Sequence, residues 1–264
     1  MVNFDFSNKI VLVTGGSSGL GFATARAFAE SGATVVIASR NPQKAQQALS
    51  AIRGEVEYIQ TNLEQLADVR YLFEQIEARF NRLDIAVNCA AAESGVGKPL
   101  TDFTEAEFDS TININLKSLW LCMKYEIELM GKDPEANTHI VNVSSVNGLG
   151  GVEYGALYAA SKAGVIALSK SAALELVKTN ISVDVIVPGA FDTPMLLKAM
   201  EMQTGGDPNK LSAVRQQYEQ MIPMGRVGYP DEFADTVLWM CSTKSPYLLG
   251  HTFIIDGGYS SRVR

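Results

Sequence analysis

Tyr158 and Lys162 stand four residues apart in Tyr158-Ala159-Ala160-Ser161-Lys162, so they share one face of any helix that carries them. A free tyrosine titrates near pH ~10. An ammonium beside it stabilises the phenolate and moves that value toward neutrality. Such a pair can give a proton to an oxygen or take one from it. Ser145 adds a hydroxyl that could hold a reacting oxygen and stabilise charge developing on it. A tyrosine and a lysine at this spacing also occur on ordinary solvated helix faces, so the pair alone does not decide.

A second constellation lies near the N-terminus. The apolar run Ile10–Thr14 leads into Gly15-Gly16-Ser17-Ser18-Gly19-Leu20-Gly21 and then a helical pattern. Gly15 and Gly19 permit a tight turn in which backbone N–H groups, Ser17, Ser18 and Leu20 among the residues, approach a pyrophosphate. Gly21 lets the helix pack closely on the strand, and the helix N-terminus adds positive partial charge. Any tight strand-to-helix turn also favours glycine, so position after the first strand gives the motif its weight. The second strand ends in Ala38-Ser39-Arg40-Asn41. No acidic residue stands there to accept from a ribose 2′-OH, whereas Arg40 offers a forked cation suited to a 2′-phosphate and a plane that can stack on adenine. A solvated loop arginine is the alternative reading.

The elements that must position these groups follow from periodicity. Strands are expected at Ile10–Thr14, Thr34–Ala38, Val56–Gln60, Ile85–Asn88, Thr138–Ser144, Ser182–Val187 and Thr252–Ile255. Helices are expected at Gly19–Ser31, Pro42–Arg53, Leu66–Phe80, Glu105–Met130 as one long helix, Tyr158–Thr179 and Pro230–Cys241. This alternation predicts an α/β fold of the Rossmann type: one domain over 1–264, a doubly wound parallel sheet with helices on both faces. The stretch 194–224, rich in Met, Gln and Lys, is too long for an ordinary connection and reads as a substrate lid or a mobile surface excursion.

Composition narrows the function classes. Of 264 residues 47% are hydrophobic and 19% charged, enough apolar material for a large core. A net charge of −7 argues against a nucleic-acid partner. Cys89, Cys122 and Cys241 are scattered, and His139 and His251 are the only histidines, so neither a disulfide framework, a metal site nor a Ser-His-Asp triad is expected. The N-terminus shows no basic segment followed by a long apolar stretch, and no apolar run reaches ~18 residues, so a cytoplasmic protein without a membrane anchor is the expectation.

Taken together, the motifs resemble the classical short-chain dehydrogenases/reductases over nearly the whole length. They are Thr14-Gly15-x-x-x-Gly19-x-Gly21, Asn88-x-Ala90, Asn115, Ser145 thirteen residues before Tyr158, Tyr158-x-x-x-Lys162, Pro188-Gly189-x-x-x-Thr193 and Asp256-Gly257-Gly258. The resemblance implies a catalytic tetrad of Asn115, Ser145, Tyr158 and Lys162, with Lys162 also holding the nicotinamide ribose and Asn115 steadying a water that links Lys162 to solvent. It implies that Asn88 and Ala90 line the cofactor cleft, and that Pro188, Gly189, Phe191 and Thr193 hold the nicotinamide end. An arginine placed like Arg40 implies NADP(H), and the family's habit implies a homotetramer.

Three positions depart from the usual pattern. The Asn-Asn-Ala-Gly motif reads Asn88-Cys89-Ala90-Ala91, the acidic residue near adenine is replaced by Asn62 (followed by Leu63), and Ser18 stands where many NADP-users carry a basic residue. The expected reaction is hydride transfer between NADP(H) and a small carbonyl or alcohol, of ketone or 3-oxoacyl type, in a pocket including Ser145, Asn147, Tyr154, Phe191 and Met195. The alternatives are an NAD-dependent alcohol dehydrogenase and a non-catalytic NADP(H) sensor.

Overall fold

The computed structural model describes residues 4–92, 94–242 and 247–261. Seven parallel strands form one sheet: β1 (Ile10–Thr14), β2 (Thr34–Ser39), β3 (Glu55–Gln60), β4 (Ile85–Asn88), β5 (Thr138–Val143), β6 (Ile181–Pro188) and β7 (Thr252–Ile255). Their order is β3-β2-β1-β4-β5-β6-β7, as a doubly wound fold requires. The order reverses between β1 and β4, so the crossovers that leave these two strands diverge to opposite sides. A crevice opens at that point beyond the carboxyl ends of the strands. Register brings Thr14 level with Ala38 and Asn88, and Asn88 level with Asn142.

The central strands read as continuous apolar runs because both faces are covered. Val11, Val13, Val35 and Ile37 point to one face, where they meet Phe28 of α1 (Gly19–Glu30), Ala48 of α2 (Pro42–Ala51) and Phe233 of α9 (Pro230–Ser242). Leu12, Val36, Ala86 and Ile140 point to the other, against α3 (Leu66–Phe80), α5 (Ser118–Met130) and α6 (Ala156–Glu175). No helix among the described residues is long and apolar enough to cross a membrane.

The structure corrects two expectations. The single helix expected at Glu105–Met130 is α4 (Glu105–Ile112), a π-helical turn at Asn113–Lys117, and α5. Thr111 Oγ1 and Ser118 Oγ, flanking the turn, bond back to Glu107 O and Ile114 O, a pattern that bends helices. On the facing helix, a Cβ at Gly164 would lie 2.9 Å from Leu116 Cδ2 in the π turn, so this glycine lets α6 approach it. The stretch 194–224 is not a structureless excursion. It forms α7 (Pro194–Gln203) and α8 (Leu211–Met221), which share a small core of Leu196, Met200, Val214, Ile222 and Val227.

Candidate active site

Tyr158, Lys162 and Ser145 converge on the cleft beyond the strand ends. The first turn of α6 is pinned from two sides. Tyr158 N donates to Gly95 O at 3.3 Å, and Gly148 lies so close to Lys162 that a Cβ would stand 2.7 Å from its carbonyl carbon. Ser144 Oγ donates to Lys162 O at 2.8 Å. Lys162 is 2% exposed, its Nζ donates to Val143 O at 3.0 Å, and it lies 5.9 Å from the centre of the Tyr158 ring. Burial lowers its pKa to about 8, with the neighbouring Cys89 acting in the opposite direction. The ammonium form therefore still prevails at neutral pH. Ser145 caps a short 3-10 turn, its Oγ accepting from Asn147 N at 3.2 Å.

Asn115 sits in the π turn, 1% exposed and behind the cleft wall. Its Oδ1 accepts from Ala92 N at 2.9 Å, and its Nδ2 donates to Ala92 O at 3.1 Å and to Ser161 Oγ at 3.3 Å. The side chain thus ties the loop after β4 to the helix carrying Tyr158.

The other end of the cleft is the glycine-rich turn. Gly15 and Gly19 adopt left-handed φ of +70° and +56°. A Cβ on Gly21 would fall 2.5 Å from Gly15 O, so only glycine fits. Ser18 precedes α1 without a side-chain cap, leaving the leading N–H groups of the helix for a ligand. Thr193 crosses opposite Gly19, its Cγ2 at 3.5 Å from where a Cβ would lie. The Ser39 hydroxyl, at the end of β2, is buried with no hydrogen-bond partner among the described residues. A narrow glycine-rich turn, an uncapped helix start and an orphaned hydroxyl fit a dinucleotide. No cluster of potential metal ligands exists among the described residues.

Comparison with known proteins decides the family. A family model described as enoyl-(acyl carrier protein) reductase matches residues 15–260. A 2,5-dichloro-2,5-cyclohexadiene-1,4-diol dehydrogenase of Sphingobium indicum is 35% identical, over 97% of this chain and 99% of its own. A 3-oxoacyl-[acyl-carrier-protein] reductase of Thermotoga maritima is 34% identical, over 95% and 97%. The crystal structure of levodione reductase superposes with a TM-score of 0.90 at 30% identity, covering 98% of this chain and all of the other. The chain belongs to the short-chain dehydrogenase/reductase family. It is an oxidoreductase of that family, which uses a nicotinamide cofactor.

The residues expected from the family motifs fall in three places. Those of the glycine-rich turn, Ser39, Arg40, Asn41, Asn62, Leu63, Ala90, Pro188, Gly189, Thr193, Asn147 and Met195 line the cleft with Tyr158, Lys162 and Ser145. Phe191 also borders it, but its ring is turned inward, edge-on to Phe233 at 5.9 Å. Asn88, Asn115 and Tyr154 do not line it. Tyr154 is 55% exposed at a positive φ of 56° outside the cleft, so its expected place in the pocket is corrected.

Sequence reasoning missed Lys44, Glu64, Tyr218, Met221 and Tyr259, all on the cleft wall. Tyr259 arrives there because the Asp256-Gly257-Gly258 segment turns back at positive φ, with Gly257 against Ile222. Two glycines after an acidic residue were the available signal. Cys89 borders the cleft too, but burial pushes its thiol up to about 12, which leaves no thiolate at neutral pH.

Asn88 does not face the cleft because its amide is committed underneath. Its Nδ2 donates to Glu126 Oε2 at 3.0 Å and to Asn142 Oδ1 at 2.9 Å, and Asn142 Nδ2 donates to Ser169 Oγ at 2.9 Å. Glu126 is fully buried, and its Oε1 has no hydrogen-bond partner among the described residues. Burial raises its pKa to about 8, against the smaller lowering effect of Asn88. The folded protein therefore holds this proton over a range in which the unfolded chain, ionising near ~4.3, has released it. Stability from this group is fully present below the unfolded value and is lost as pH rises toward 8, by up to about 1.4 kcal/mol per pH unit. Glu126→Gln removes that titration. Its melting temperature relative to wild type is expected to climb between pH 5 and pH 8. A difference that stays constant across that range would show that Glu126 is not held neutral.

Proposed function

We propose that this protein transfers hydride between NADP(H) and a carbonyl or secondary alcohol, with Tyr158 as general acid/base. The observation that carries the reading is the shared cleft: Tyr158, Lys162 and Ser145 at one end, the glycine-rich turn with Arg40 at the other. The nicotinamide supplies or accepts the hydride when the cofactor is bound. Ser145 holds the substrate oxygen through its hydroxyl. Tyr158 gives that oxygen a proton during reduction and takes one during oxidation. Lys162, charged below about pH 8, stabilises the phenolate left behind and reaches for the nicotinamide ribose. Asn115 acts as a positioning residue, since its side chain is engaged with Ala92. A water steadied at the π turn would connect Lys162 to solvent.

The substrate end is apolar. Met195, Leu196, Ala199, Met221 and Ile222 come from the segment containing α7 and α8, which serves as the lid. Such a wall suits an uncharged ketone or 3-oxoacyl group. The relatives named for a diol, a 3-oxoacyl group and levodione support a CH–OH/C=O substrate. Tyr158→Phe is expected to lower turnover about 10²–10⁴-fold while cofactor binding stays nearly intact. Turnover is read from NADPH absorbance over a panel of ketones and 3-oxoacyl thioesters. Wild-type rates in that variant would remove the mechanism. No turnover by the wild type of any substrate, with NADPH still bound, would favour a sensor.

One observation favours NAD(H) as a second reading. Arg40 Nη1 already contacts Glu64 Oε2 at 3.3 Å. If Arg40 grips the 2′-phosphate, Arg40→Ala weakens NADP(H) roughly ten- to a hundredfold and NAD(H) far less. Comparing kcat/KM for the two cofactors tests this, and an equal loss for both would favour the NAD-dependent reading.

The assembly is proposed to be a cytoplasmic homotetramer. Phe108 on α4, Trp120 on α5, Leu174 on α6 and Ile254 on β7 are large apolar side chains left exposed, consistent with two-fold contacts along these elements. Light scattering should give four times the chain mass, and a monomer at all concentrations would refute it.

A further inference from the structure

The charge in the cleft is unevenly placed. Among the described residues four charged side chains line it: Arg40, Lys44, Glu64 and Lys162. Lys162 is buried beside Tyr158, and the other three gather just after β2, in the first turn of α2 and in the loop after β3. That end would receive the adenine ribose. Lys44 forms no ion pair among the described residues, whereas Arg40 is paired with Glu64.

The pair is asymmetric in a way that matters for a ligand. The Arg40 side chain is 60% exposed and Glu64 30%. Glu64 follows a fixed turn: its N–H donates to Asn62 Oδ1 at 3.2 Å, and Asn62 N donates to Asp68 Oδ2 at 2.9 Å. The turn fixes the backbone from which the carboxylate projects, and the guanidinium is the more exposed and so the more movable partner. Their contact is a single one, to Nη1, and not a two-bond fork. Arg40 can turn away from it at small cost.

We propose that Glu64 is a specificity-determining residue that competes with the cofactor's 2′-phosphate for Arg40, a reading that rests on the proposed role of Arg40. A phosphate monoester carries nearly two negative charges at neutral pH. Binding it to Arg40 beside Glu64 either breaks the ion pair or places two anions on one guanidinium. A 2′-hydroxyl demands neither, so NAD(H) leaves the pair intact. Glu64 thus taxes one cofactor and not the other, and narrows the preference that Arg40 and Lys44 create.

The test is isothermal titration of NADPH and NADH into wild type, Glu64→Gln, Arg40→Ala and the double variant. An exposed ion pair shifts an equilibrium roughly 1.5- to 5-fold, and removing the anion also removes its repulsion of the phosphate, so Glu64→Gln is expected to tighten NADPH about three- to tenfold. NADH should be unchanged. In the Arg40→Ala background the gain should shrink to what relief of that repulsion alone supplies, since the competition for the side chain is gone. Unchanged or weaker NADPH binding in Glu64→Gln, an equal gain for NADH, or a gain undiminished without Arg40 would each overturn the inference. The Arg40→Ala arm separates the two levels. If it weakens NADPH selectively while Glu64→Gln has no effect, only the role of Glu64 falls. If it does not weaken NADPH, the reading of Arg40 falls and takes this one with it.

Discussion

Holding an ammonium in the interior is the constraint on which the site depends. Lys162 is 2% exposed, and burying a charge is unfavourable unless polar groups receive it. The fold meets that demand with the end of β5, where Val143 O accepts from Nζ. Strand β5 and helix α6 must therefore stay in one register. The same requirement explains the tight contacts on α6. Gly148 lets the loop after β5 close over Lys162, and Ser144 ties back to the lysine's own carbonyl. These contacts fix where Tyr158 and Ser145 stand before any ligand arrives.

A second layer of polar groups supports the first without facing the cleft. Asn115 satisfies both backbone groups of Ala92, and Asn88 links β4 to β5 and to α5 through Asn142 and Glu126. Unpaired polar groups at such depth would each cost about 1–3 kcal/mol, so these amides act as fixed spacers. Within this layer Glu126 Oε1 has no hydrogen-bond partner among the described residues. A neutral carboxyl there is tolerable where a carboxylate is not, which is why burial holds its proton.

Much of the fold was legible because strands covered on both faces leave an unbroken apolar signature. Ile10–Thr14 and Ile85–Asn88 have the bounds read from the sequence. The π turn at Asn113–Lys117 was not legible, since one widened turn barely disturbs helical periodicity. Helices α7 and α8 were missed because their shared core is small and most of their surface is polar or methionine-rich. At the site, the motifs indicated which residues gather at the cleft better than which way each one points. Asn88 carries the expected amide but turns it into the core, and Tyr154 turns outward at a positive φ. Lys44 and Glu64 belong to no motif in the sequence, and only the fold brings them to the cleft wall.

The two ends of the cleft differ in how freely they can change. At the Tyr158 end the charged group is buried, its neighbours are glycines with no room for a Cβ, and the supporting amides are saturated. A substitution there disturbs packing, a buried charge and hydrogen bonds together, and such effects do not add independently. At the Arg40 end the charges are partly solvated and their ion pair is exposed, where such pairs contribute about 0.2–1 kcal/mol. On the proposed reading, substitutions at Arg40, Lys44 or Glu64 would therefore alter ligand preference with little effect on stability. The fold thus places a tightly packed, buried charge at one end of the cleft and a partly solvated ion pair at the other.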